Sequence, residues 1–215
     1  MGNTALNARL SSPSPASLPA QRDVYFSADV ETDGPIPGPY SMLSFALVYA
    51  GTFDGNEFRP PASFGDVFYR ELKPISARFE PAALQVNGLD REKLAKIGAD
   101  PAEAMDAAAA WIAERASAGR AVLVAYPLSF DWAWLYWYFV NFAARGSPFN
   151  HSQCFDLKTA FAVKAHLPIV AAGRSKIPPQ LRPAGAHTHN AVDDAVEQAQ
   201  IFARLFTWEG GDWGR

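Results

Sequence analysis

Apolar and polar positions along this chain change period several times, and each change marks an element. "DVYFSADVE" (23–31) begins as an apolar, β-rich run and ends in acids, which predicts a buried strand with polar groups at its C-terminal end. "DGPIPGPY" (33–40) suits neither helix nor strand and reads as a Gly/Pro loop. "SMLSFALVYAG" (41–51) and "SFGDVFYREL" (63–72) predict two further strands, so the first third of the chain forms a meander. "EPAALQVNGLDREKLAKIG" predicts one or two short helices broken at Asn87–Gly88. A strong helix follows over 100–119: Asp100 can cap it, Pro101 opens its first turn and Gly119 ends it.

"AVLVAY" (121–126) then reads as a buried strand, and 129–146 as a long aromatic helix. "CFDLKTAFAVKAH" reads as a short strand leading into a helix. The Pro-rich connection from Leu167 to His187 is too long for a routine loop. The last helix runs from about Ala191 to Phe206, and Val192, Val196, Ala199, Ala203 and Phe206 are spaced for its buried face. Strands first, then helix–strand–helix units, predict an α/β fold: a mixed β-sheet flanked by α-helices. Ligand sites in such sheets collect at the C-terminal ends of strands.

Composition narrows the class. At 215 residues, 49% of them hydrophobic, the chain suits one soluble domain. A single cysteine, Cys154, excludes an internal disulfide framework and agrees with a reducing, cytoplasmic setting. No apolar run approaches the roughly 18 residues of a membrane span, so no membrane partner is expected. Residues 1–22 are rich in Ser, Pro and Ala without a period and read as a flexible tail lacking a signal peptide's apolar stretch. Gly2 is not followed by a lipidation motif, since Leu6 stands where Ser or Thr is required. Net charge is −3, but between 145 and 182 Arg145, Lys158, Lys164, Arg174, Lys176 and Arg182 face Asp156 alone, a segment able to meet a phosphate backbone.

The candidate chemistry is carboxylate. Asp29 and Glu31, two apart on a strand, share a face. Two half-buried carboxylates repel and lose hydration unless cations neutralise them, and Mg²⁺ takes such oxygen ligands. Asp131 stands at the start of the aromatic helix, just past a core strand, where it either complements the helix dipole or faces the first pair. Near the end, "HTHNAVDDA" (187–195) offers His187, His189, Asp193 and Asp194. Both aspartates fall off the predicted apolar face, so periodicity does not choose between them. With Asn190 as N-cap, Asp193 takes the N3 position of a capping box, which leaves Asp194 freer.

Taken together these segments resemble the DEDDh superfamily of 3′–5′ exonucleases. "DVETDG" (29–34) resembles its D-x-E motif, "SFDWAWL" (129–135) its Phe-Asp motif, and "HNAVDDA" (189–195) its His, four residues, Asp motif. That spacing selects His189 and Asp194 over His187 and Asp193. "ALQVNGLD" (83–90) and "FDLKT" (155–159) are similar to two further family segments, and the wording of the motifs leans toward ribonuclease T and oligoribonuclease. The resemblance covers about residues 23–206, and implies an exonuclease domain over 23–208 followed by a C-terminal tail over 209–215.

Several expectations follow from the resemblance. The fold is ribonuclease H-like. Asp29, Glu31, Asp131 and Asp194 hold two Mg²⁺ or Mn²⁺ ions, and His189 is the general base that takes a proton from the attacking water. Thr32, Asn87, Phe130, Trp132 and Phe149 are candidates for contacting substrate, the aromatics by stacking on bases. The substrate is single-stranded nucleic acid or the 3′ end of DNA or RNA, released as nucleoside 5′-monophosphates. A homodimer is implied by ribonuclease T-like relatives. Two departures stand out: Tyr126–Pro127 replace a His-Asn pair ahead of the second motif, and Pro35 stands where ribonuclease T has a stacking aromatic. A competing reading is a catalytically silent, exonuclease-like nucleic-acid-binding module, against which the complete acid set argues. A phosphohydrolase built on "HTH" leaves Asp29, Glu31 and Asp131 unexplained.

Overall fold

The computed structural model describes residues 22–183 and 190–211. Residues 1–21 of the predicted N-terminal tail, His187, His189, and 212–215 of the C-terminal tail lie outside the described residues.

The chain opens with the expected meander: β1 (Asp23–Thr32), β2 (Met42–Phe53), a two-residue β3 (Phe58–Arg59) and β4 (Val67–Glu71). Two short helices follow, α1 (Pro81–Asn87) and α2 (Arg91–Ile97), separated where the sequence breaks at Gly88, whose φ of 67° is left-handed. Then come α3 (Pro101–Ala116), β5 (Arg120–Ala125), α4 (Leu128–Phe142), β6 (Cys154–Asp156), α5 (Leu157–Lys164) and α6 (Ala191–Thr207). The Pro-rich connection is not structureless: it folds into three 3-10 turns at Ile169–Ala171, Arg174–Lys176 and Pro179–Leu181.

The sheet runs β3-β2-β1-β5-β6, with β4 also paired to β2. β1–β2 and β2–β4 are antiparallel, while β1–β5 and β5–β6 are parallel, so the sheet is mixed. Strand alternation splits the interior in two. Val24, Phe26, Ala28 and Val30 of β1 pack with Ala108, Ile112, Trp134 and Tyr138 of α3 and α4. Tyr25 turns to the other face, against Phe161 of α5 and Ala195, Ala199 and Phe202 of α6.

Capping places the helices. Asp100 accepts from Ala102 N–H at 2.8 Å, with Pro101 opening α3 as expected. Asp156 caps α5 through Thr159 N–H at 2.6 Å, and its other oxygen accepts Leu128 N–H at 2.6 Å, which anchors the start of α4. Asn190 caps α6 by accepting from Val192 and Asp193 N–H at 3.0 and 3.4 Å.

One expectation needs correcting in α6. Its buried residues are Ala191, Asp194, Ala195, Gln198, Ala199, Ile201, Phe202 and Leu205. The stripe sits about one position off the predicted Val192/Val196/Ala203/Phe206 face, because two polar residues, Asp194 and Gln198, occupy the inward side.

Candidate active site

The C-terminal end of β1 builds the centre. Parallel pairing with β5 runs from Asp23 to Ser27, after which β5 ends and the chain turns into α4. Asp131, in the first turn of α4, closes the gap: its Oδ1 accepts from Val30 N–H at 3.1 Å. Period-two geometry puts Asp29 and Glu31 on the opposite face from Val30, toward α6. There Asp194 enters from the first turn of α6, 2% exposed, beside its exposed neighbour Asp193. One carboxylate oxygen each from Asp29, Glu31 and Asp194 lie within 4.8 Å of one another. Asp131, 5% exposed, lies near enough for its charge to act on Asp29 and Glu31.

The electrostatics show what such crowding does. Burial pushes Asp29 well above the ordinary carboxylate range, and the charges of Asp131, Glu31 and Asp194 push it further; Arg174 opposes them. Glu31 rises to about 8, first by burial and then by Asp194 and Asp131. Asp131 rises to about 7 by burial, against which backbone hydrogen bonds and the Arg174 charge pull down. Without added positive charge these acids cannot all ionise at neutral pH. An all-oxygen donor set that demands positive charge fits a hard divalent cation.

Other candidates separate. A cavity of about 390 Å³ adjoins the acids, lined by Glu31, Thr32, Pro35, Val86, Asn87 and Phe130 among others. Gly34 is part of that wall, and the ring of Tyr40 leaves no room for a side chain on it. Phe130 is 41% exposed there. Thr32 turns inward, its Oγ1 donating to the Gly34 carbonyl at 2.9 Å. The Asn87 amide shapes the wall rather than projecting from it: Nδ2 donates to the Thr32 carbonyl and Oδ1 accepts from Leu89 N–H, both at 3.0 Å. Trp132 lies outside this cavity, stacked on Tyr136 at 4.9 Å between ring centroids. Phe149, expected as a stacking platform, is corrected to a core residue: it is 3% exposed and wedged edge-on against Phe26 and Phe139.

The basic segment divides too. Lys164 donates to the carbonyls of Leu205, Phe206 and Trp208, satisfying the end of α6. Arg174 pairs with Glu197 at 3.1 Å, one turn beyond Asp194, and approaches the Tyr126 carbonyl. Sequence reasoning missed Gln198, whose Nε2 donates to Asp29 Oδ1 at 2.9 Å. Its position four residues after Asp194 was the available signal, hidden by the displaced apolar stripe. It also missed Asp33, fully buried, which pairs with Arg91 at 2.8 Å and accepts from Ser41 N–H.

A mixed sheet flanked by helices, with acids from β1, α4 and α6 gathered at one sheet end, defines a ribonuclease H-like nuclease fold. No family model matches the chain. The 3′–5′ DNA exonuclease Cap18 of Escherichia coli is 35% identical over 182 residues, which is 84% of this chain and 90% of that protein. The nuclease domain of 3′hExo, a DEDDh family member solved with rAMP, matches with a TM-score of 0.60 at 11% identity, over 89% of this chain and 96% of that one. Escherichia coli exonuclease I in complex with a dT13 oligonucleotide matches with a TM-score of 0.57 at 16% identity, over 87% of this chain. This chain spans only 41% of exonuclease I. The chain belongs to the same 3′–5′ exonuclease family as Cap18 and is a 3′–5′ exonuclease.

Proposed function

We propose that the protein removes nucleotides one at a time from the 3′ end of single-stranded DNA, releasing nucleoside 5′-monophosphates. The observation that carries this reading is the convergence of Asp29, Glu31 and Asp194 within 4.8 Å, with Asp131 beside them and a nucleotide-sized cavity adjoining. DNA is favoured over RNA because the 35% identical relative is named a DNA exonuclease.

Asp29, Glu31, Asp131 and Asp194 would hold two Mg²⁺ or Mn²⁺ ions. Bound ions supply the positive charge that activates the attacking water and offsets charge developing on the leaving oxygen. The chain's own groups do the rest. The cavity takes the terminal nucleotide, with Phe130 offering a ring face to its base and the Thr32–Asn87 wall setting its depth. His189 takes the water's proton as the new O–P bond forms and the bond from phosphorus to the 3′ oxygen breaks, the departing oxygen taking a proton from solvent; an imidazole, with a reference pKa near 6.5, suits that task. Trp132 and Arg174 flank the start of α4 and α6 and serve the strand upstream.

The test is a time course on 5′-labelled single-stranded DNA, single-stranded RNA and duplex DNA, with Mg²⁺, Mn²⁺ or EDTA. A 3′-end ladder on single-stranded DNA that EDTA abolishes is expected. A faster ladder on RNA would instead favour the ribonuclease T and oligoribonuclease kinship that the motif wording suggests. Absence of a ladder with either metal would overturn the proposed metal-dependent mechanism. A homodimer, the assembly of ribonuclease T-like relatives, is checked by light scattering on the same sample.

A further inference from the structure

Gln198 lies on the buried face of α6, four residues after Asp194, among Ala195, Ala199 and Phe202. It is fully buried. Its Nε2 donates to Asp29 Oδ1 at 2.9 Å, while its Oε1 has no hydrogen-bond partner among the described residues. A buried amide oxygen left unpaired is costly, and packing alone would favour an apolar side chain of the same shape there. Packing therefore does not account for glutamine at this position; the bond to Asp29 does.

We propose that Gln198 is a positioning residue for the metal centre, holding Asp29 Oδ1 through its amide and so fixing the orientation of a carboxylate that would serve as a ligand. Asp29 is surrounded by Asp131, Glu31 and Asp194, whose charges repel it. Left unheld, its carboxylate rotates away from them. A cationic donor would hold it too, but would also offset the charge that attracts a metal. A neutral amide orients the carboxylate and leaves its charge intact. Hydrogen-bonded partners of ligating carboxylates contribute in this way, and losing one typically weakens metal binding about 10–100-fold. The position of Gln198 on α6 also couples two ligands: the helix that carries Asp194 locks Asp29 one turn further along, so β1 and α6 present their oxygens as a unit.

The inference rests on the proposed metal role of Asp29, and the experiment separates the two. Mn²⁺ binding is titrated by electron paramagnetic resonance on the full chain, for wild type, Gln198→Met and Gln198→Leu. The expected result is Mn²⁺ binding weakened about 10–100-fold in both variants, with the metal-free protein still folded and unfolding cooperatively. On single-stranded DNA, KM is unchanged, and kcat falls at low Mn²⁺ but recovers as Mn²⁺ is raised. Unchanged Mn²⁺ affinity in both variants overturns the inference while leaving the metal reading in place. Loss of the folded state in both makes Gln198 a structural residue and overturns it as well. A wild type that binds no Mn²⁺ overturns the metal reading itself.

Discussion

At the scale of single residues, the centre turns on a choice between neighbours. Asp193 and Asp194 are chemically identical, but the helix aims only one inward: Asp194 is 2% exposed and Asp193 is open to solvent. Asp194→Asn therefore removes nuclease activity while leaving the metal-free fold at least as stable, since it relieves repulsion within the cluster. Asp193→Asn leaves turnover near wild type and costs some stability at the start of α6, where an acid complements the helix dipole. Parallel rate assays and metal-free melts of the two variants check this, and a catalytic collapse in Asp193→Asn would reverse the assignment. His189→Ala is expected to lower kcat about 10²–10⁴-fold, the usual worth of a general base, with Mn²⁺ binding retained. The four acids were legible in the sequence because their types and spacings carry the family pattern. Apolar periodicity could not choose between Asp193 and Asp194, since the polar residues Asp194 and Gln198 lie on the buried side and shift the stripe by one position.

At the scale of elements, α1 is the unusual one. It buries no side chain of its own, yet it forms a wall of the nucleotide-sized cavity through Val86 and Asn87. What holds it is polar. Glu80 N–H donates to the Asp33 carbonyl at 2.8 Å, Asn87 to the Thr32 carbonyl at 3.0 Å, and Arg91 pairs with buried Asp33. Arg91 also donates to the Ser76 carbonyl. Arg91→Ala leaves Asp33 as an uncompensated buried charge, and breaking such a pair costs about 3–5 kcal/mol. The expected outcome is a lowered melting temperature and a raised KM for DNA with kcat less affected, because the wall moves while the acids on β1, α4 and α6 do not. An unchanged KM would show that α1 does not shape substrate binding. This arrangement was illegible in the sequence: Asp33 read as the start of a polar loop, and nothing local ties it to Arg91, 58 residues on. Local signals fared better: Asp100 and Pro101 fixed the start of α3, although the helix ends at Ala116 with Ser117 as its C-cap, short of the expected Gly119.

For the whole molecule, the sheet brings carboxylates 165 positions apart in the chain, Asp29 and Asp194, to one end of two apolar layers. That gathering stores a pH dependence. Glu31 is raised from 4.5 to about 8, and Asp131 from 3.8 to about 7. A carboxyl with a raised folded-state value binds more protons folded than unfolded between those two values, so stability falls as pH rises through that window. The metal-free protein is therefore expected to lose thermal stability progressively from about pH 4.5 to about pH 8. If divalent cations bind the ionised acids and not the unfolded chain, as proposed, saturating Mg²⁺ or Mn²⁺ flattens the loss and releases protons near neutral pH. Melts across pH with EDTA or with Mn²⁺ measure this directly. A metal-free stability that rises over the same window would mean the acids already have their counter-charge inside the protein, with Arg174 the first candidate to examine, since it is the cation that lowers both Asp29 and Asp131.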